Sequence, residues 1–93
     1  MKKVVEPALD AKQRVDNGVM VLDAVRPGWR QDIDVEALNL SSYVACVLGQ
    51  IFGSYDEGLA ALRLTPVEAL SYGFNTFNSQ MMVLLIAEWI RRL

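Results

Sequence analysis

Apolar residues recur at spacings of three and four through Ala8, Ala11, Val15, Val19, Leu22 and Val25, while Lys12, Asp16 and Asp23 fall off that stripe. This is the period of a helix with one face turned to a core. Pro7 suits a first helical turn, and the pattern predicts a helix over residues 6–25, stopped by Pro27-Gly28. Trp29 is expected to close the core there. Residues 30–42 alternate only over Ile33 and Val35, too briefly for a sheet, and read as a loop with one short helical turn capped by Asp34. Ser41 or Ser42 can cap a second helix over residues 43–52, whose stripe is Val44, Val47, Leu48, Ile51, Phe52 and Tyr55.

Two capping-box spacings follow. Ser54 with Glu57 starts a helix that runs through Leu62, and Thr65-Pro66-Val67-Glu68 starts another over residues 66–72, with Gly73 placed as its left-handed terminator. A last helix over residues 79–92 puts Met82, Leu85, Ile86, Trp89 and Leu93 on one face. The predicted fold is therefore all-α, a compact bundle of about four to five helices without a sheet. The 93 residues are enough for one domain, residues 1–93, and no repeat or low-complexity tract divides them.

Composition narrows the function classes. At 53% hydrophobic and 22% charged, the chain carries enough apolar surface to offset the entropy of ordering. A net charge of −2 supplies no basic stripe for a phosphate backbone and argues against nucleic acid as a partner. The run Met81 to Ala87 ends at Glu88, well short of the roughly 20 residues that span a bilayer. Val4-Val5 is too short an apolar run for a signal peptide, and a lone cysteine forms no internal disulfide, so the expected compartment is the cytoplasm.

The stretch 43-YVACVLGQIFGSY-55 holds that one cysteine and two glycines four apart. On a helix over 43–52 the small residues Ala45, Cys46, Gly49 and Gly53 share the face opposite the large ones, which predicts a groove for a closely packed second helix. Gly53 also fits a helix end. A nucleophilic or zinc-bound Cys46 would need histidine or further cysteines, and the chain has neither, so Cys46 reads as a buried structural thiol. The glycines follow neither dinucleotide nor nucleotide-phosphate spacing. Asp32, Asp34 and Glu36 do not make a calcium loop, because Ala37 and Tyr43 stand where it needs glycine and glutamate. Ser41 and Ser42 have no base beside them. No catalytic, metal or cofactor residue is assigned, and the chain is not read as an enzyme.

Gly28-Trp29, Ile33-Asp34, Leu38-Asn39-Leu40-Ser41-Ser42, Cys46, Leu48-Gly49-Gln50, Phe52-Gly53 and Tyr55, with Gly73-Phe74 beyond, form a pattern over about half the chain. It resembles a group of small uncharacterised proteins from actinobacteriophages and actinobacterial genomes. Residues 1–15 and the C-terminal helix do not share the pattern, and no functional residue carries over. The resemblance implies a phage accessory protein acting on a host protein in the host cytoplasm.

The residues themselves point to a helical interaction module. With Met82, Leu85, Ile86 and Trp89 toward the core, Met81 and Leu84 are surplus apolar positions on the side of Glu88, Arg91 and Arg92. Met81, Leu84, Glu88 and Arg91 are accordingly the expected partner-binding residues, for a homodimer or a host protein. The alternative is a helix-turn-helix DNA-binding regulator using residues 56–74. Against it, the would-be recognition helix carries Glu68 and no basic residue.

Overall fold

The computed structural model describes residues 6–93; the signal-peptide reading of residues 1–5 lies outside them. Five α-helices follow in order, α1 (Ala11–Val25), α2 (Val47–Phe52), α3 (Tyr55–Leu62), α4 (Pro66–Ser71) and α5 (Ser79–Arg91). A 3-10 turn, Trp29–Asp32, lies between α1 and α2, and no strand occurs among the described residues. The all-α architecture matches the periodicity.

The first helix starts later than Pro7 suggests. Asp10 closes a complete capping box, accepting from the Gln13 amide at 2.8 Å while the Gln13 side chain accepts from the Asp10 amide at 3.0 Å. Glu6 to Leu9 form a non-helical arm instead, and one side chain binds three of its polar groups. Arg14, buried, donates to the Glu6 carboxylate at 2.7 Å and to the carbonyls of Pro7 at 2.8 Å and Leu9 at 3.0 Å. Glu6 in turn accepts from the Thr76 hydroxyl and the Phe77 amide, tying the arm to the approach of α5. The buried face of α1 is Ala11, Arg14, Val15, Gly18 and Leu22; Ala8 and Val25 are exposed.

Gly28, at φ +85°, turns the chain so that Trp29 enters the core fully buried. Its indole donates to Asp23 at 2.8 Å, and its ring meets Trp89 edge-on at 5.8 Å. Trp89 stacks on Phe74 at 5.5 Å and donates to the Gly73 carbonyl at 2.7 Å. Around this aromatic centre pack Val15, Leu22, Leu48 and Leu85, drawn from α1, α2 and α5. The short helix expected after Asp34 is a single turn, in which the Asp34 carboxylate accepts from the Glu36 amide. Gln50 holds that turn from α2, accepting from the Asp34 amide at 2.6 Å and donating to its carbonyl at 3.2 Å.

The later boundaries follow their caps. Ser54 accepts from the Glu57 amide at the start of α3, and Thr65 with Glu68 forms a complete box at α4. Gly73 turns left-handed, at φ +72°, two residues after α4. Asn78 caps α5, accepting from the Gln80 and Met81 amides.

Candidate functional site

The predicted small-residue groove is not a seat for a second helix. α2 begins only at Val47, so residues 43–46 are not helical and the face drawn for 43–52 does not exist. The Ser42 hydroxyl caps the preceding turn, accepting from the Val44 and Ala45 amides, and Cys46 is the N-cap of α2, its sulfur accepting from the Gly49 amide at 3.3 Å. The chain thus folds back over the start of its own helix. A Cβ on Gly49 would lie 2.5 Å from the Val44 carbonyl carbon and 2.7 Å from the Tyr43 oxygen, so the glycine admits its own preceding turn. Gly53 ends α2 at φ +103°, and Ala45 is half-buried with its carbonyl bound by Asn39 and Gln50. The glycines that let elements close up on one another are Gly58, against Leu48, and Gly18, against Trp89 and the Tyr72 carbonyl.

Cys46 is buried, as expected of a structural thiol. Burial pushes its pKa up, only partly offset by the amides of Gly49 and Leu48. Alkylation of the native chain at neutral pH is therefore expected to be slow and to become fast in denaturant. Comparable labelling rates in the two conditions would show that the first turn of α2 opens readily.

The C-terminal helix presents a different outer face from the one predicted. Met81 is half-buried, packed against the core cluster with Met82 and Ile86, and offers less free surface than expected. Glu88 is largely covered and committed within the chain, paired to Arg91 at 3.7 Å and to Arg92 at 3.5 Å. Arg92 also reaches Asp16 on α1 at 2.6 Å, and its carbonyl accepts from Arg30 at 2.8 Å, so the end of α5 is held by α1 and by the 3-10 turn. Leu84 is exposed, as expected, and so is Arg91. They share an outward arc of about 120°, at 3.6 residues per turn, with Gln80, Val83, Ala87 and Ile90. Val83, Ala87 and Ile90 lie outside the expected set of Met81, Leu84, Glu88 and Arg91; their own spacing of four and three is the signal that places them together.

Other chemistry is sparse. No group of three or more acidic or cysteine side chains among the described residues is placed to hold a metal ion. No described helix is long and apolar enough to cross a membrane. In the segment read as helix-turn-helix, α4 has six residues, and its exposed side includes Val67 and Glu68 with no cation. No protein-family model, curated protein or solved structure matches the chain.

Proposed function

We propose that this protein is a small protein–protein interaction module that pairs with a second copy of itself through the outer face of α5. The observation that carries this reading is the exposure of Val83, Leu84 and Ile90, at 68%, 54% and 43%, on one arc of the same helix whose opposite face carries Leu85 and Trp89. Contiguous apolar surface of this kind is the usual mark of a contact site. The strip suits two-fold pairing. In an antiparallel arrangement centred between Leu84 and Ala87, Leu84 meets Ala87 of the second copy and Arg91 meets its Gln80, so no like charges are brought together. Glu88 and Arg92 stay in their intrachain network at the rim.

Leu84→Glu tests this. It places two carboxylates near the symmetry axis of a desolvated seam, at a cost of several kcal/mol to association, and leaves Leu85 and Trp89 in place. The wild type should scatter light as a dimer and the variant as a monomer with unchanged circular dichroism. A monomeric wild type sinks self-association and gives the strip to a heterologous partner, for which the likeness to small phage proteins suggests a host protein. An unfolded variant would mean that Leu84 is part of the core.

A further inference from the structure

We propose that the surface between Tyr43 and Phe77 is a binding site for a neutral saccharide, built around the Tyr55 hydroxyl. The site has two adjoining hollows. One, of about 140 Å³, lies among Leu40, Ser42, Tyr43, Tyr55 and Asn75. The other, of about 250 Å³, runs from Thr76 and Phe77 to Ser79 and Met82, and Ser41 stands in the wall of both.

Tyr55 supplies the first argument. The residue is nine-tenths buried, and its hydroxyl is the one buried side-chain polar atom among the described residues with no partner at full hydrogen-bonding geometry. Such an orphan forfeits the hydration of its hydroxyl, a loss that is offset where a ligand atom completes the bond. Asn75 stands beside the hydroxyl, near enough to lower its pKa in part, but no bond of full hydrogen-bonding geometry joins them. Tyr55 and Asn75 both line the smaller hollow, so a ligand seated there lies against this pair. Burial pushes the phenol pKa up, so it remains a donor throughout the physiological range.

The lining supplies the second argument. No charged side chain borders either hollow. Glu6, behind Thr76, is spent on Thr76, Phe77 and Arg14. An anion finds no cation here and a cation no carboxylate. What the surface does offer is a high density of neutral donors and acceptors, the hydroxyls of Ser41, Tyr43, Tyr55 and Ser79 and the carboxamide of Asn75. Pockets that anchor a protein partner take its aromatic or arginine hot-spot side chains into well-packed, desolvated surroundings. A sugar, with a hydroxyl on nearly every carbon, requires the density found here.

The third argument is the pair of aromatic rings at the margins. Tyr43 is 70% exposed and Phe77 71%. Tyr43 is held in place by its edge-on contact with Tyr55 at 6.0 Å and by its carbonyl, which accepts from the Tyr55 amide at 2.7 Å. The negative face of an aromatic ring attracts the weakly positive C–H face of a pyranose, and the hydroxyl edge then turns toward the polar floor. Two hollows and two rings fit a short oligosaccharide better than a single ring.

The experiment is an NMR titration of the full 93-residue chain with maltotriose and with chitotriose, repeated on Tyr55→Phe. Saturable shifts at Ser41 to Tyr43, Tyr55 and Asn75 are expected with at least one of the two. Tyr55→Phe should fold with no loss of stability, because it removes an unpaired hydroxyl, and should bind about tenfold more weakly or worse. Leu84→Glu should bind as the wild type does, which separates this site from the α5 surface. Absence of saturation by either sugar up to its solubility limit overturns the proposal. So does unchanged binding by Tyr55→Phe, or saturation of the same resonances only by an uncharged, end-blocked peptide of glycine, asparagine and serine, which would assign the surface to a protein.

Discussion

Replacing Arg14 by methionine is expected to cost about 3–5 kcal/mol in chemical denaturation, the penalty typical of breaking a buried ion pair from one side. The 93 residues would ordinarily command roughly 5–14 kcal/mol in all, so the loss is a large fraction of the total. Three acceptors share the Arg14 guanidinium, the Glu6 carboxylate and the carbonyls of Pro7 and Leu9, and methionine fills the volume but satisfies none of them. Arg14→Lys should recover little, because an ammonium lacks the planar fork that serves three directions at once. A pH signature accompanies the loss. Burial pushes the Glu6 carboxyl up, but the hydrogen bonds from Phe77, Thr76 and Arg14 outweigh it and hold the group below the usual glutamate range. A folded-state pKa depressed in this way contributes stability that is complete above the unfolded pKa and is lost as pH falls through the folded one. The wild type should therefore lose part of its stability in that acid window. In Arg14→Met the acid-dependent loss should be smaller and should end at higher pH, because Glu6 keeps Thr76 and Phe77 but not its cation and its folded pKa moves back toward the unfolded one. A cost below about 1 kcal/mol would show that the arm of residues 6–9 contributes almost nothing to the fold.

How legible these features are in the sequence depends on the range of the interaction that makes them. Ser54, Thr65 and Gly73 act within four residues, and the starts of α3 and α4 fall where those residues place them. The start of α1 was missed although its signal is equally local: Asp10 and Gln13 form a capping box, and Pro7 competed for the same role. Cys46 as an N-cap is harder to read, because sulfur is a weak acceptor and the periodic stripe continues N-terminal of it through Val44. Outright illegible were the features that depend on distant chain. Nothing local says that Glu6 meets Thr76, that Arg92 meets Asp16, or that Gln50 holds Asp34. The outer face of α5 was half legible for the same reason. Helical period placed Leu84 outward, and the pairings of Glu88 with Arg91 and Arg92 are themselves local, whereas the packing of Met81 on the core cluster depends on distant chain.

Trp89→Ala is expected to cost about 3–5 kcal/mol, as the loss of a fully buried aromatic does, and the Gly73 carbonyl loses its donor as well. The more discriminating result comes from pairing this change with Gly18→Ala. Alanine would raise helix propensity by about 1 kcal/mol at a position in the middle of α1. The space beside Gly18 forbids that gain. A Cβ there would stand 2.7 Å from the Trp89 ring and in collision with the Tyr72 carbonyl oxygen. That oxygen has little freedom to retreat, because the preceding carbonyl, of Ser71, accepts from the Asn17 side chain at 3.0 Å and pins the end of α4 to α1. Gly18→Ala alone should therefore destabilise, by a net amount within the 1–3 kcal/mol range of overpacking. In the Trp89→Ala background the ring half of the clash is gone, and the alanine methyl occupies part of the cavity. The same substitution should then cost less, and the double variant should be more stable than the sum of the singles by about 0.5–3 kcal/mol. Additive losses would mean that the Tyr72 carbonyl alone sets the limit at Gly18, and that α1 and α5 approach closely for a reason other than the fit of this glycine to the indole.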